Sequence, residues 1–210
     1  MNEIHTQRGR GPLDRTLCLF DMGNVVVRNV TTMEKIADHY RLPFAELLED
    51  YKKYEFPLMD GSIPSEVYWK HAEGRFGIKV HGDPLADFFH PVWNPPVVEL
   101  IGWLRSLGKR IVCASNTYAP HWKILQEQGF LAVFDQVYAS HELGVTKPSR
   151  QFFERILEAE KATAEQACFV DDYLENIVAA ERVGILSCHY SDGEGLLADR
   201  RLANFFGFAP

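Results

Sequence analysis

Residues 17–24, with the sequence LCLFDMGN, place a carboxylate directly after four apolar residues. Three later segments also join apolar residues to polar ones: IVCASNT at 111–117, GVTKP at 144–148 and CFVDDYLEN at 168–176. All but GVTKP, which supplies a lysine, predict a buried strand that ends in a carboxylate or a hydroxyl. Ligands of an open parallel α/β sheet bind just beyond the carboxyl ends of its strands. We therefore expect these polar side chains to converge on one site.

The second half of the chain alternates between strand and helix patterns. Predicted strands cover residues 110–114, 136–139, 167–170 and 185–189, and predicted helices cover residues 97–107, 121–128, 148–159 and 175–183. Gly108 suits the end of the first of these helices, and Pro148 suits the first turn of the third. Alternating strands and helices predict an α/β fold, in which a Rossmann-like parallel sheet has helices on both faces and makes three layers.

The segment between the first strand and this alternation has a different pattern. From residue 30 to about residue 87, apolar residues recur at helical spacing and no strand pattern is found. This predicts an all-helical cap inserted into the core, with residues 91–96 (PVWNPP) as the hinge that returns to it. The predicted organisation is a loose tail at 1–15, a core at 16–29 and 92–210, and a cap at 30–91.

The predicted cap also carries candidates for substrate selection. Aromatic residues at helical spacing usually pack a core, so packing is the more ordinary explanation for most of them. The candidates are Tyr51, Tyr54, Glu55, Phe56, Asp60 and Trp69.

The composition and net charge argue against several classes of protein. The 210 residues are 46% apolar and 24% charged, as in an ordinary globular protein. A net charge of −7 disfavours non-specific binding to nucleic acid or to an anionic membrane, because both attract clustered positive charge. No apolar run is long enough for a transmembrane helix, and the polar N-terminus lacks the apolar centre of a secretory signal, so we expect a cytoplasmic protein. The four cysteines have no zinc-like spacing and are expected to be reduced thiols inside strands.

Most of the polar segments have an ordinary explanation when taken alone. Asp21 could begin a turn, residues 115–117 (SNT) are common in turns, and Lys147 could be a solvated surface lysine. The pair at 171–172 (DD) could be a surface turn, but adjacent carboxylates at a strand end repel one another without a cation. Mg²⁺ is bound by one or two carboxylates together with phosphate and water. Asn176, one helical turn later, could orient one carboxylate of the pair.

Taken together, Asp21-Met-Gly-Asn-Val, Ser115-Asn-Thr, Lys147-Pro and Asp171-Asp-x-x-x-Asn resemble motifs I to IV of the haloacid dehalogenase (HAD) superfamily. The four motifs come in the order of the family, and the resemblance extends from residue 17 to about residue 190. The predicted cap resembles the helical C1 type of the same superfamily. The resemblance implies a HAD-like core fold and a phosphatase that uses Mg²⁺.

The resemblance also implies a role for each motif residue. Asp21 would be the nucleophile that forms an aspartyl-phosphate, and Lys147 would assist catalysis. The implied metal ligands are Asp21, the Gly23 carbonyl and Asp172. The implied phosphate-binding residues are Ser115, Asn116 and Lys147, with Asp171 and Asn176 in support.

Gly23 departs from the pattern of the family. In most of its phosphatases the residue two positions after the nucleophile is a second aspartate, which protonates the leaving oxygen. General acid–base help is worth roughly 10²- to 10⁴-fold, so a glycine there should slow the reaction on poor leaving groups. The FDMGNV segment is similar to a bacterial subgroup that includes α-D-glucose-1-phosphate phosphatase. This likeness implies that the glycine is compatible with turnover.

The expected function is magnesium-dependent hydrolysis of a small phosphorylated metabolite, with a sugar phosphate as the expected substrate. Two alternatives remain open from the sequence. One is a phosphate-binding protein in which Gly23 marks the loss of efficient catalysis. The other is a dehalogenase, which works without magnesium and has no use for the acidic pair at 171–172.

Overall fold

The computed structural model describes residues 17–191, which contain seven strands. These are β1 Leu17–Phe20, β2 Val27–Arg28, β3 Val92–Trp93, β4 Arg110–Ser115, β5 Gln136–Ala139, β6 Ala167–Asp171 and β7 Leu186–His189. Five of them form a parallel sheet in the order β5-β4-β1-β6-β7. The central strand β1 is thus flanked by β4 and β6, the two other strands whose ends carry predicted site residues.

The helices of the same region include all those predicted from the alternation. They are α1 Met33–Tyr40, α2 Phe44–Met59, α3 Ser65–Phe76, α4 Pro84–Asp87, α5 Pro95–Ser106, α6 Ala119–Glu127, α7 Ser140–Leu143, α8 Arg150–Glu160 and α9 Leu174–Val183. None of the helices between residues 17 and 191 combines the length and apolarity needed to cross a membrane.

Alternate residues of β1 enter two separate apolar clusters, one on each face of the sheet. Cys18 and Phe20 pack in the cluster that contains residues of α5 and α6, whereas Leu17 and Leu19 pack in the cluster of α8 and α9. Full burial of one such side chain contributes about 1.5–3 kcal/mol. Burial on both faces explains why β1 is apolar throughout, as expected of a strand inside a parallel sheet. The predicted three-layer α/β/α fold is confirmed.

Helix α8 differs from its predicted bounds in a way that affects the site. The prediction began this helix at Pro148, but the helix begins at Arg150, with Ser149 as its N-cap. The Ser149 hydroxyl accepts a hydrogen bond from the Gln151 backbone N–H at 3.3 Å, which satisfies one of the unpaired donors of the first turn. Pro148 therefore precedes the helix, and Lys147 lies outside its N-terminal turn.

The predicted helical insertion contains α1 to α4, and the short strands β2 and β3 pair antiparallel at its two ends. It has an apolar cluster of its own, in which Ile36, Leu47, Tyr68 and Leu85 are fully buried. Tyr51 and Trp69, two of the residues considered for substrate selection, also belong to this cluster. The predicted tail at 1–15 lies outside the described residues, as do the last residues of the predicted core, 192–210.

All four cysteines are buried, and each lies in a strand of the central sheet, as predicted. They are Cys18 in β1, Cys113 in β4, Cys168 in β6 and Cys188 in β7. They act as small apolar side chains within the sheet.

His121, in α6, connects the insertion to the core. Its Nε2 atom lies 2.8 Å from the carbonyl oxygen of Leu85, so the ring donates a hydrogen bond there as the neutral Nε2–H tautomer. The ring also stacks on Phe89, with centroids 3.9 Å apart and planes 8° apart. Burial lowers the pKa of His121 from 6.5 to about 4, although the bond to Leu85 acts in the opposite direction.

We expect His121 to make the protein less stable in acid. The unfolded chain binds a proton near pH 6.5 and the folded chain near pH 4, so folding is disfavoured progressively as the pH falls between these values. Each pKa unit is worth about 1.4 kcal/mol, and the full effect is about 3 kcal/mol. His141, whose pKa burial also lowers, adds a contribution of the same sign.

His121→Gln keeps a donor for Leu85 but does not titrate, so its free energy of unfolding should fall less between pH 7 and pH 4.5 than that of the wild type. Urea unfolding at several pH values measures the difference. His90→Gln replaces an exposed histidine and is the matched control. An equal acid sensitivity in His121→Gln and the wild type would contradict this account.

Candidate active site

The predicted site residues meet at the carboxyl edge of the three middle strands. Asp21 is the first residue after β1, Ser115 is the last residue of β4, and Asp171 is the last residue of β6. A cavity of about 350 Å³ lies at this edge. Of the predicted site residues, it is lined by Asp21, Gly23, Asn116, Lys147, Asp171, Asp172 and Asn176, whereas Ser115 lines the neighbouring cavity.

Lys147 is the centre of the cluster, and it is not the surface lysine that the sequence alone allowed. Its ammonium is completely buried and donates to Asp21 Oδ1 at 2.7 Å and to Asp171 Oδ2 at 2.6 Å. Burial alone would lower the pKa of this lysine, but the charges of Asp171 and Asp21 outweigh it and raise the pKa above the ordinary value. Lys147 is therefore a permanent cation between two carboxylates.

Asn116 fixes the backbone of Lys147. Its side-chain oxygen accepts from the Lys147 N–H at 2.8 Å, and its Nδ2 donates to the Lys147 carbonyl at 2.9 Å. This pair of bonds joins the end of β4 to the segment that carries the lysine, 31 residues later. The Asn116 side chain is thus committed to positioning Lys147.

Both oxygens of Asp171 are occupied by protein donors. Besides Lys147, they accept from the Tyr173 backbone N–H at 2.7 Å and from Asn176 Nδ2 at 3.1 Å to each oxygen. Asn176 thus orients the buried carboxylate, the geometry that the sequence suggested for it. Asp171 is placed to hold Lys147 and is poorly placed to offer a free oxygen to a ligand.

Asp21 keeps an open oxygen, and Asp172 has fewer protein donors than Asp171. Asp21 Oδ2 makes no hydrogen bond to any residue between 17 and 191. Asp172 Oδ2 accepts from Asn24 Nδ2 at 3.0 Å, and the Asp172 backbone N–H also bonds to this carboxylate. One oxygen from each of Asp21, Asp171 and Asp172 can be chosen so that all three lie within 4.8 Å of one another. Asn24, whose φ of 55° is unusual for a residue with a side chain, was not singled out by the sequence analysis.

Asp21, Asp171 and Asp172 together carry more negative charge than the single ammonium of Lys147 neutralises. Burial raises the pKa of Asp21 to about 7, against the attraction of Lys147, and the charges of Asp171 and Asp172 add to the rise. Burial also raises the pKa of Asp172, with Asp171 contributing and the bond from Asn24 opposing. A further cation would relieve this repulsion, so the donor set fits a divalent metal ion.

A second cavity of about 510 Å³ adjoins the first. More than half of its lining is apolar or aromatic: Met22, Val27, Val30, Met33, Phe44, Leu48, Tyr51, Met59, Phe89, Tyr118, Leu125 and Tyr173. These residues come from both the core and the insertion, so no single stretch of sequence predicts the cavity. Glu55, on α2, lines both cavities.

The end of α2 is attached to the core next to the site. The Ser140 hydroxyl donates to the Met59 carbonyl at 2.6 Å and accepts from the Thr117 N–H at 2.9 Å. Gly61 follows with a φ of 77°, and a Cβ atom there would lie 2.6 Å from the His141 carbonyl oxygen. Only glycine permits this close approach, which the sequence analysis did not identify.

The family model for haloacid dehalogenase-like hydrolases matches residues 16–184. This chain belongs to that family. The four motifs that suggested the resemblance carry the cluster around Lys147, and the prediction of a hydrolase is confirmed at the level of the family.

Two curated relatives are fungal proteins. The sesquiterpene phosphatase astK of Aspergillus oryzae is 33% identical over 183 residues, which cover 83% of this chain and 89% of that protein. The drimenol cyclase drtB of Aspergillus calidoustus is 29% identical over 99 residues, which cover 47% of this chain and 18% of that protein. The first of these matches extends over most of both chains.

Solved HAD-family structures share the fold. A HAD-like hydrolase from Porphyromonas gingivalis superposes with a TM-score of 0.74 at 21% identity, over 90% of this chain and 98% of that one. The HAD-family enzyme bt-2542 of Bacteroides thetaiotaomicron, solved with magnesium and inorganic phosphate, superposes with a TM-score of 0.70 at 19% identity, over 85% and 95% of the two chains.

Lys147→Met should destabilise this hydrolase strongly. The variant keeps the length of the side chain but leaves Asp21 and Asp171 buried without their counter-charge, a change that costs about 3–5 kcal/mol. The decrease in the free energy of unfolding should be smaller at lower pH, since protonation of Asp21 or Asp171 removes the repulsion between them. Urea unfolding in EDTA measures it.

Lys123→Met is the matched control, since Lys123 is exposed and its 3.8 Å pair with Glu127 is worth under about 0.5 kcal/mol. A loss for Lys147→Met as small as that of the control would contradict the role given to the buried lysine.

Proposed function

We propose that this hydrolase is a phosphatase that acts on monoesters of small apolar alcohols through an aspartyl-phosphate on Asp21. The open Oδ2 atom of Asp21 carries the proposal, because Lys147 holds the other oxygen at 2.7 Å and leaves one oxygen available for attack. A carboxylate held in this way is a suitable nucleophile for phosphorus in a covalent mechanism.

The chain's own residues supply positioning and charge. Attack by Asp21 Oδ2 forms a bond to phosphorus as the bond to the alcohol oxygen breaks, and water then releases phosphate from Asp21. Lys147 places a fixed positive charge beside the reacting group, and such preorganised charge is expected to dominate phosphoryl transfer. Ser115 and the backbone at Asn116 are the proposed contacts for the phosphate oxygens.

The proposal includes Mg²⁺. The proposed ligands are Asp21, the Gly23 carbonyl and Asp172. Asp21 would contact the ion through Oδ1, the oxygen that accepts from Lys147, so that Oδ2 stays free to attack phosphorus. The raised pKa values of the two carboxyls, caused mainly by burial, fit a site that lacks one positive charge. When bound, the ion would act as a Lewis acid toward the phosphoryl oxygens.

The neighbouring cavity supports an apolar alcohol as the organic part of the substrate. Its 510 Å³ is in the usual range for small-molecule sites, about 300–1,000 Å³. Of its polar lining residues, Glu34 and Lys52 are exposed, and His121 and the half-buried Asn116 are hydrogen-bonded within the protein. The apolar and aromatic side chains that make up more than half of the lining suit an apolar alcohol better than a sugar. We therefore favour a terpenyl monophosphate, as the name of the astK relative suggests, over the sugar phosphate expected from the sequence.

The helical insertion has a place in this proposal as a separate cap. Residues 30–91 contribute Phe44, Leu48 and Met59 to the apolar cavity, while the core contributes the reactive groups. The cap would thus select the alcohol, and the sheet edge would handle the phosphate.

Hydrolysis of p-nitrophenyl phosphate, farnesyl monophosphate and glucose 1-phosphate, with Mg²⁺ and with EDTA, tests the function. Asp21→Asn should lower kcat by at least about 10³-fold on every ester, the scale expected for loss of a nucleophile. Asp38→Asn, on the exposed side of α1, is the control.

Full magnesium-dependent turnover by Asp21→Asn would refute the mechanism. Tight binding of phosphate esters without turnover by the wild type would favour the binding protein, and activity on 2-haloacids that survives EDTA would favour the dehalogenase. A preference for glucose 1-phosphate over farnesyl monophosphate would refute the apolar substrate but not the phosphatase mechanism.

Leu48→Asn should weaken the use of farnesyl monophosphate selectively. Leu48 lines the apolar cavity but not the reactive one, so the variant should lower kcat/KM for this ester by about tenfold, and that for p-nitrophenyl phosphate much less. Val67→Asn, at an exposed apolar residue on α3, is the control. Equal changes on both esters would argue against alcohol binding in this cavity.

A further inference from the structure

The reactive cavity and the apolar cavity have six lining residues in common. They are Gly23, Val30, Glu55, Met59, Asn116 and Tyr173. A phosphate ester with phosphorus beside Asp21 and its organic group in the apolar cavity must pass its bridging oxygen between these residues. That oxygen receives the proton when the alcohol leaves, so a proton donor is expected among these six.

Glu55 is the residue of this group best suited to donate the proton. Gly23, Val30 and Met59 have no acidic side chain, and the Asn116 amide is bonded to the Lys147 backbone at 2.8 and 2.9 Å. Tyr173 is 63% exposed. Glu55 is half-buried, and its carboxyl makes no hydrogen bond or ion pair with any residue between 17 and 191.

The surroundings of Glu55 favour its protonated form. Burial raises the pKa of Glu55, and Lys52, one turn earlier on α2, opposes the rise in part. Tyr51 and Tyr118 are close enough for a negative charge on Glu55 to contribute to their raised pKa values. Neither phenol carries a positive charge that would stabilise the Glu55 carboxylate. The surroundings therefore favour the protonated carboxyl, which is the form that a general acid requires.

We propose that Glu55 is the general acid of the reaction, in the role that Gly23 leaves empty. This assignment rests on the proposed phosphatase function. As Asp21 Oδ2 bonds to phosphorus and the P–O bond to the alcohol breaks, the carboxyl proton of Glu55 moves to the leaving oxygen. In the second step Glu55 takes a proton from the attacking water as the P–O bond to Asp21 breaks, which restores both residues. An alcohol without this proton would leave as an alkoxide, a poor leaving group.

Glu55→Gln tests the assignment through its dependence on the leaving group. Substituted phenyl phosphates vary the acidity of the phenol with little change of shape, and benzyl phosphate adds an alkoxide leaving group. The loss of kcat/KM should be under about threefold for p-nitrophenyl phosphate and should rise to about 10²-fold for benzyl phosphate. We use kcat/KM because it reports the steps up to departure of the alcohol. Glu49→Gln, exposed on the same helix, is the control.

An equal loss on all esters would assign Glu55 to binding or folding, and no loss would remove it from the reaction; either result overturns the proposal. Wild-type turnover that requires Asp21 separates these results from failure of the phosphatase function itself. If the wild type hydrolyses no ester, both proposals fail together.

A rescue variant gives an independent test. A Cβ atom at Gly23 would meet only Val30 Cγ2, at 3.7 Å, so the backbone there has room for a side chain, and Gly23→Asp is the natural choice. Added to Glu55→Gln, it should raise kcat/KM for benzyl phosphate at least tenfold, and by a larger factor than it changes kcat/KM for p-nitrophenyl phosphate. A double variant with intact activity on p-nitrophenyl phosphate and no recovery on benzyl phosphate would argue that Glu55 does not transfer the proton.

Discussion

The buried ammonium of Lys147, hydrogen-bonded to Asp21 and Asp171, is the interaction on which the rest of the site depends. It joins a residue after β1, a residue at the end of β6 and a loop before α8, which are separated by 126 and 24 residues of sequence. A buried cation is costly unless it is paired and hydrogen-bonded, and the two carboxylates would repel one another without it. The three groups therefore require each other. Because the two carboxylates sit at the ends of the middle strands, folding of the sheet brings them together before any ligand is present.

The same cluster explains why Asp21 and Asp171 have different properties despite equivalent positions at strand ends. Asp171 is saturated by Lys147, Tyr173 and Asn176, whereas Asp21 shares only one oxygen. The Tyr173 N–H and the Asn176 side chain come from the N-cap and the first turn of α9, where backbone N–H groups have no partner within the helix. No helix begins directly after Asp21, so its second oxygen stays open. The difference between a carboxylate saturated by protein donors and one with an open oxygen thus follows from the element that comes after each strand.

Much of this arrangement could be predicted from the sequence, because it depends on short-range patterns. An apolar run that ends in Asp21, and another that ends at Asp171, specify strands and the edge where their side chains meet. The burial of Lys147 could not be predicted, since a lysine before a proline is ordinarily solvated. The N-cap at Ser149 and the bonds from Asn116 to Lys147 were missed for a similar reason. A polar side chain can choose among several partners, and the choice depends on distances set by the tertiary fold.

The apolar cavity could not be predicted from the hydrophobic periodicity of the sequence. Leu48 and Met59 lie in one helix, yet they face the site only because the end of α2 is attached to the core through Ser140 and Gly61. Glu55 precedes that attachment by one helical turn, so the contacts that hold α2 to the core also hold Glu55 where the two cavities meet. An acid at position 23 would be rigidly part of the core, whereas an acid at position 55 depends on the position of the insertion. Substrate selection and proton donation would then be carried by the same helix, and an alcohol that fails to fill the apolar cavity would also fail to place its oxygen beside the proton.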